Sequence, residues 1–211
     1  ESSRVLAIRG KVVPATLSNV HLVAEYMDGS IRQGEADIPK VGRQIKRVFL
    51  NPVNPPATGE ALEAIAEADI IVLGPGSLYT SVIPNLVIDG VAEAITKSSA
   101  FKIYICNVMT QAGETDRYKA SDHIKAIMDH TNPKILNACL VNSAEVPIEA
   151  QGRYRTEDSF PVFADVDRIR EMGCLAVTTD LLSVNDFVRH DSEKLTKALI
   201  RLIETHRVIK R

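Results

Sequence analysis

The chain has 211 residues, of which 45% are hydrophobic and 25% are charged, with a formal net charge of −2. This charge argues against a nucleic-acid-binding protein that relies on a basic surface, and 5% aromatic residues without Trp give little support for base stacking on aromatic platforms. No apolar run approaches the roughly 20 residues of a membrane-spanning helix, so we expect a globular cytoplasmic protein without a membrane span.

The first fifty residues are predicted to be rich in β-structure. Met27–Ser30 has the composition of a hairpin turn, so Val20–Tyr26 is expected to pair antiparallel with Ile31–Ala36. After the last of these strands, the prolines between residues 52 and 56 exclude both a helix and a central strand. Thr58 is then placed to cap a helix that begins near Gly59. The other β-favouring runs are Val5–Ile8, Lys11–Val13 and Ile45–Leu50.

From residue 69 onward, strand-like runs alternate with helical patterns. Such alternation is typical of a parallel sheet covered by helices on both faces. We therefore predict a single α/β domain over residues 1–211, with a Rossmann-like parallel sheet and a β-rich N-terminal segment. An amphipathic helix at Asp191–His206, capped by Asp191 or Ser192, ends the pattern. The predicted strands are Asp69–Leu73, Lys102–Val108, Lys134–Val141 and Leu175–Thr178, and the predicted helices between them are Leu86–Ile95, Tyr118–Met128 and Val166–Met172.

The turn after the first strand of this alternating part is the main candidate site. Four apolar residues, 70–73, are typical of a strand buried on both faces, and Gly74, Pro75, Gly76 and Ser77 follow at once, with a helical pattern from about Asn85. Glycines let the backbone approach a ligand, and free amides near a helix start attract anions. The spacing fits neither a Walker loop nor GxGxxG, so a phosphate cradle and a plain tight turn both remain open.

The hydroxyl residues Tyr79 and Thr80 come directly after this turn. Tyr79 is a candidate for stacking on a base or a sugar, and packing of its ring on the loop is the alternative.

Polar residues also follow the other strands, where ligands of open α/β sheets bind. Most of them are neutral hydrogen-bonding types, which suits a polar, phosphorylated ligand better than proton transfer. The candidates in these loops are Asn51, Asn107, Thr110, Gln111 and Glu114.

Arg117 is a candidate ligand contact for a different reason. Thr115 or Asp116 is predicted to cap the helix that follows, which would put Arg117 in the first helical turn. A cation is disfavoured there by the helix dipole, so we expect Arg117 to face an anionic ligand.

The remaining reactive residue types show no catalytic or metal-binding spacing. We predict no catalytic residue and no metal site, three buried free thiols at Cys106, Cys139 and Cys174, and a capping role for His190. His21, His123, His130 and His206 are expected to lie at the surface or to pack against neighbours.

Four segments together resemble the gluconeogenesis factor (YvcK) group of the CofD-like family. They are GPGSLYTSVIPNL at residues 74–86, NVMTQAGET at 107–115, RGKVVPAT at 9–16 and NPVNPPA at 51–57. The resemblance implies a Rossmann-like fold and a uridine-diphosphate sugar as ligand, notably UDP-N-acetylglucosamine. It also implies a link to gluconeogenic growth, cell shape and cell-wall synthesis, with Tyr79 and Arg117 as nucleotide-sugar contacts and the Gly74–Ser77 and Asn107–Glu114 loops as pocket walls. Homo-oligomerisation and contacts with cell-wall synthesis proteins are left open, and no cofactor is predicted beyond the UDP-sugar ligand.

The related CofD enzymes supply the alternative function, a Mg²⁺-dependent 2-phospho-L-lactate transferase. Their turn reads closer to G-P-S-N-P-x-T-S-I, whereas this chain has Gly76-Ser77-Leu78-Tyr79, which disfavours the transferase reading. Members of the family also begin with a GGGTG-type phosphate loop and an acidic DDGGS segment. Neither is in this sequence, so we expect the chain to start downstream of the native phosphate loop.

Overall fold

Two sheets and the helices around them form the part of the chain that the computed structural model describes, residues 10–147, 158–184 and 188–209. The strands are β1 (His21–Tyr26), β2 (Ile31–Gln33), β3 (Ile45–Asn51), β4 (Ile70–Leu73), β5 (Phe101–Ile105), β6 (Ala138–Asn142), β7 (Leu175–Thr179), β8 (Leu182–Val184) and β9 (Val188–His190). The helices are α1 (Gly59–Glu67), α2 (Ile83–Leu86), α3 (Val91–Lys97), α4 (Ala120–His130), α5 (Val166–Glu171) and α6 (Ser192–Ile209). A short 3₁₀ turn lies at Pro39–Val41, and a π-helical segment, Leu78–Val82, leads directly into α2.

The N-terminal part forms an antiparallel sheet in the order β2-β1-β3. The predicted hairpin is confirmed, with the Tyr26 N–H donating to the Ser30 carbonyl at 2.9 Å, although the returning strand ends at Gln33. The strand predicted at Lys11–Val13 is wrong, because the structure has no strand over these residues. The residues just after them are held to residues 56–58 by hydrogen bonds. The run Val5–Ile8 lies outside the described residues.

The C-terminal part forms the predicted parallel sheet, in the order β4-β5-β6-β7. Alternate strand residues point to opposite faces. On one face Phe101, Ile103 and Ala138 pack with Leu202 of α6, whereas the opposite face contributes to the main core, which also includes residues of α1 to α5. The α/β fold with helices on both faces is therefore confirmed.

The main core also joins the two sheets. Leu22 and Tyr26 of β1 belong to the same cluster of buried residues as Leu73 of β4 and Tyr104 of β5. At Gly113 the backbone of the loop after β5 meets the N-terminal part so closely that a Cβ there would lie 1.8 Å from the Pro39 carbonyl oxygen. Only glycine fits at that contact, which fixes the loop after β5 against the N-terminal part.

Strand β4 is more exposed than its apolar sequence predicts. It pairs only with β5 among the described strands, and Val72 is 40% exposed. The expectation of a strand buried on both faces is wrong in this respect, because a strand at the end of a sheet has neighbours on one side only.

The helical boundaries around the glycine turn also differ from the prediction. Helical structure begins at Leu78 rather than near Asn85, and Gly90, with φ of 87°, separates α2 from α3. The prediction of one helix over Leu86–Ile95 is therefore wrong. Leu86 is the last residue of α2, and α3 begins at Val91, directly after the left-handed Gly90.

Two of the predicted helix caps are confirmed. Thr58 Oγ1 accepts a hydrogen bond from the Ala61 N–H at 3.2 Å, and Asp191 Oδ1 accepts from the Glu193 and Lys194 N–H groups. The three cysteines are buried and free, as predicted. Among the described residues, no helix is long and apolar enough to cross a membrane.

Candidate functional site

A cavity of about 490 Å³ lies at the carboxyl ends of β4 and β5, and we call it the sheet-edge cavity. Its walls come from three separate parts of the chain, which meet because parallel strands end at the same edge of a sheet. They are the turn Pro75–Ser77, the loop residues Asn107–Met109 with Gln111, and strand β9 with Val188, Arg189 and His190.

The glycine turn presents backbone donors to this cavity. The N–H groups of Gly76 and Ser77 donate to no described residue. Gly74, just before them, has φ of 85°, and a Cβ at that position would lie 3.1 Å from the Ile105 carbonyl oxygen. A glycine is therefore needed there to bring the turn against β5, and the turn keeps two amides in the cavity wall.

The next donors along the chain are already paired within the protein. Glu114 Oε2 accepts from the Tyr79 N–H at 3.3 Å, and Glu114 Oε1 accepts from the Thr80 hydroxyl at 2.9 Å. Glu114 as a whole is only 5% exposed. Burial raises the pKa of its carboxyl group, and these hydrogen bonds oppose that shift. An internal carboxylate thus takes the place at the helix start where the glycine-turn pattern predicts a ligand anion.

A chain of amide hydrogen bonds crosses the cavity wall. Asn107 Nδ2 donates to Gln111 Oε1 at 3.2 Å, and Gln111 Nε2 donates to Ser77 Oγ at 2.8 Å. Because Ser77 Oγ accepts here, its own hydroxyl hydrogen can donate elsewhere. Asn107 Oδ1, at the other end, is buried and has no hydrogen-bond partner. The chain therefore offers a donor at Ser77 and an acceptor at Asn107.

Strand β9 brings a cation and an imidazole to the same cavity. Val188 packs with Leu182, Val108 and Met109 in a small apolar cluster, which holds the β8–β9 hairpin against the end of the parallel sheet. His190 Nε2 lies 3.1 Å from the Cys106 carbonyl oxygen. Since a carbonyl only accepts, Nε2 carries the hydrogen.

The interpretation of His190 as a helix cap is wrong, because Asp191 caps α6. Arg189 and His190 are residues that the sequence reasoning missed as cavity residues. Their position next to each other, just before the last helix, was the available signal.

Tyr79 lies in the core of the protein and not on the cavity wall. It is 3% exposed, its hydroxyl is 2.8 Å from the Tyr118 hydroxyl, and its ring centroid lies 5.8 Å from that of His130. Burial raises the pKa of Tyr79. Of the two roles left open for this side chain, its surroundings are those of packing.

Two other predicted site residues, Thr80 and Thr110, are buried and do not line the sheet-edge cavity. Thr80 is buried and bonds Glu114, and Thr110 is 2% exposed. Thr110 Oγ1 accepts from the Phe160 N–H at 2.9 Å, which joins the loop after β5 to a later segment. Both side chains are already bonded within the protein.

Arg117 lies in a second cavity of about 450 Å³, which we call the Arg117 cavity and whose lining also includes Glu114, Asp116, Tyr118 and Asp122. Helix α4 begins at Ala120, so the expectation that Arg117 occupies its first turn is wrong.

The predicted caps of α4 stabilise the preceding loop instead. Thr115 Oγ1 accepts from the Gln111 N–H, and Asp116 Oδ2 accepts from the Gly113 N–H, both at 2.9 Å. Asn51 is also placed apart from the sheet-edge cavity. It ends β3, opposite His21 in the antiparallel sheet, and so does not lie at the edge of the parallel sheet.

The described residues include no group of three or more His, Cys, Asp and Glu side chains that could hold a metal ion.

Comparison with known proteins identifies the family. The model of the family described as 2-phospho-L-lactate transferase CofD matches residues 1–182. A gluconeogenesis factor of Halalkalibacterium halodurans is 46% identical over 95% of the chain, and that of Bacillus subtilis is 43% identical over 97%. The chain belongs to the gluconeogenesis-factor group of the CofD family.

The fold agrees with that of a solved structure. A crystal structure of a Bacillus halodurans protein of the UPF0052 family superposes with a TM-score of 0.90 and 46% identity, over 94% of this chain and 64% of that one. The chain spans 62% and 65% of the lengths of the two relatives named above.

The family model matches some walls of the sheet-edge cavity and not others. The glycine turn and the loop after β5 lie within the 182 residues that match the CofD model, whereas Val188–His190 lies beyond them. The gluconeogenesis factors match 95% and 97% of the chain, and Val188–His190 lies more than twenty residues from its end, so they match this wall as well.

Proposed function

We propose that the protein binds a nucleotide sugar of the UDP-N-acetylglucosamine type in the sheet-edge cavity and acts as a regulator. The observation that carries the proposal is the pair of Gly76 and Ser77 amides, which line a 490 Å³ cavity at the end of a parallel sheet and donate to no described residue. Amides in this position are the usual partners of ligand phosphates.

The anionic end of the ligand is assigned to the glycine turn. The two amides and the Ser77 hydroxyl together supply three hydrogen-bond donors, and Arg189 adds a positive charge on the facing wall. A guanidinium binds phosphate oxygens in a bidentate manner. This set matches the acceptors and the negative charge of a diphosphate.

A regulatory role is supported by the chemistry of the lining. The lining residues that the structure describes include no Asp or Glu, and the Nε2 of His190 is held by a backbone carbonyl. These groups hold a ligand but offer no acid–base pair for proton transfer. The related proteins are named gluconeogenesis factors, and we propose that ligand binding adjusts gluconeogenic growth, cell shape and cell-wall synthesis.

Calorimetric titration of the full-length protein with UDP-N-acetylglucosamine tests the proposal. The wild type is expected to bind, and Arg189→Gln is expected to weaken binding by roughly 10- to 100-fold, because a charge-assisted hydrogen bond contributes about 1.5–3 kcal/mol. Arg32→Gln, an exposed Arg on β2 in the other sheet, is the matched control and should bind as the wild type does.

The same titration tests the transferase alternative, which rests on the description of the matching family model. Mg²⁺-dependent binding of GDP or GTP without binding of any UDP-sugar would favour the transferase and overturn the regulatory proposal. Thermal shift provides a second readout, since a ligand of the native state stabilises it by RT ln(1 + [L]/Kd).

A further inference from the structure

Two hydrogen-bond acceptors in the wall of the sheet-edge cavity have no donor among the described residues. Asn107 Oδ1 is buried without a partner. Within the described part of the chain, no residue donates a hydrogen bond to His190 Nδ1, while Nε2 of the same ring is held by the Cys106 carbonyl. The two residues are close together, because Cys106 immediately precedes Asn107. The cavity therefore has an acceptor side next to the end of β5.

Both groups are acceptors in the hydrogen-bond pattern of the structure. Asn107 Nδ2 donates to Gln111 Oε1, and Gln111 Nε2 in turn donates to Ser77 Oγ, which leaves Asn107 Oδ1 as the acceptor at the end of this chain. The imidazole of His190 must carry its hydrogen on Nε2 to meet a carbonyl. Burial also lowers the pKa of His190, which favours the neutral ring with an unprotonated Nδ1.

A ligand that covers these acceptors must supply donors. Covering a buried acceptor without replacing its hydrogen bond costs about the desolvation penalty of that group. Pyrophosphate near neutral pH presents almost only acceptor oxygens. A nucleotide sugar carries donors as well, in its hydroxyls, its amide N–H and the base N–H.

We propose that Asn107 and His190 form an acceptor pair that selects ligands carrying hydrogen-bond donors beside their diphosphate, and that His190 is a specificity-determining residue of this cavity. The inference rests on the proposed nucleotide-sugar binding. It assigns the diphosphate to the glycine turn and the donor-bearing part of the ligand to the end of β5.

Two substitutions distinguish the role of His190 Nδ1 from that of Nε2. His190→Gln retains a donor that can reach the Cys106 carbonyl but has no acceptor at the Nδ1 position. His190→Asn retains an acceptor near the Nδ1 position but loses the contact with Cys106. His21→Gln, at an exposed His of β1, is the control for the chemical change alone.

Titrations of the full-length variants with UDP-N-acetylglucosamine and with pyrophosphate test the inference. His190→Gln is expected to weaken UDP-N-acetylglucosamine binding by about 5- to 10-fold and to leave pyrophosphate affinity and the melting temperature nearly unchanged. His190→Asn is expected to prefer UDP-N-acetylglucosamine over pyrophosphate as the wild type does, but to have a lower melting temperature because it loses the contact with Cys106. His21→Gln should match the wild type with both probes.

The possible failures are distinguishable. A wild type that does not bind UDP-N-acetylglucosamine overturns the proposed function and this inference with it. A wild type that binds, together with a His190→Gln variant that keeps its affinity or loses affinity for both probes equally, overturns the inference alone. Loss of the preference in His190→Asn but not in His190→Gln would assign the effect to the Cys106 contact.

Discussion

The sheet-edge cavity and the Arg117 cavity are nearly equal in size, about 490 and 450 Å³, but they differ in charge. The first is lined by Arg189, a neutral imidazole, amides and a hydroxyl, and no described carboxylate. The second places Arg117 among the carboxyl groups of Glu114, Asp116 and Asp122. An anionic ligand is attracted to the first cavity and repelled by most of the charges of the second.

Glu114 connects the two cavities. It lines the Arg117 cavity, and it accepts a hydrogen bond from the N–H of Tyr79, two residues after the turn that lines the sheet-edge cavity. The Tyr79 N–H and the Thr80 hydroxyl are therefore bonded within the protein, whereas the N–H groups of Gly76 and Ser77 lie in the cavity wall. Within this one motif, some donors stabilise the fold and others are left for a ligand.

The largest expected effect is a loss of stability when Tyr79, on the structural side of this contrast, is substituted. Tyr79→Ala should lower the free energy of unfolding by about 3–5 kcal/mol, because it removes a buried ring from the core. Tyr79→Phe, which removes only the hydroxyl bonded to Tyr118, should cost about 1 kcal/mol. Urea denaturation measures both. A Tyr79→Ala protein of wild-type stability that had lost the ligand would place Tyr79 in the binding site instead.

A smaller effect is expected in the pH dependence contributed by Glu114. Its pKa is raised in the folded protein, chiefly by burial, so the native state holds the proton more tightly than the unfolded chain. Its contribution to stability is then fully present below the ordinary carboxyl value of 4.5 and is lost as pH rises through the raised pKa.

Denaturation of the wild type and Glu114→Gln at a series of pH values tests this sign. The stability advantage of the wild type over Glu114→Gln is expected to narrow as the pH rises above 4.5. An advantage that widened over the same range would show that the Tyr79 and Thr80 bonds stabilise the ionised carboxylate more than burial destabilises it.

The smallest effect is expected at Arg117. In the full-length protein, Arg117→Gln should change the affinity for UDP-N-acetylglucosamine by no more than about twofold, because a screened charge outside the ligand cavity contributes little. Arg189→Gln measured in parallel provides the comparison. A loss at Arg117 as large as that at Arg189 would show that the ligand reaches both cavities and would remove the contrast between them.

Much of this organisation can be predicted from local patterns. The alternation of apolar strands with amphipathic helices predicts the parallel sheet, and the Met27–Ser30 turn predicts the hairpin. Gly76, Ser77, Asn107 and Gln111 were predicted because they follow strand ends, and the structure brings them together in one cavity. These four residues meet because parallel strands place their carboxyl ends at one edge of the sheet.

The errors arise where a distant residue decides the outcome. The exposure of Val72 depends on which strands lie beside β4. Arg117 seemed misplaced at a helix start only because α4 was expected to begin earlier than Ala120. Neither the strands beside β4 nor the first residue of α4 can be read from the local sequence.

The sequence by itself determined the order of strands and helices, the glycine turn at residues 74–76 and the family, because periodicity, backbone freedom and motif are properties of nearby residues. Only the tertiary structure decided which donors of that turn remain for a ligand. Glu114 lies 35 residues from Tyr79 along the chain, and His190 lies 84 residues from Cys106. Such contacts depend on how the sheet brings its strand ends together, so no local pattern could have assigned them.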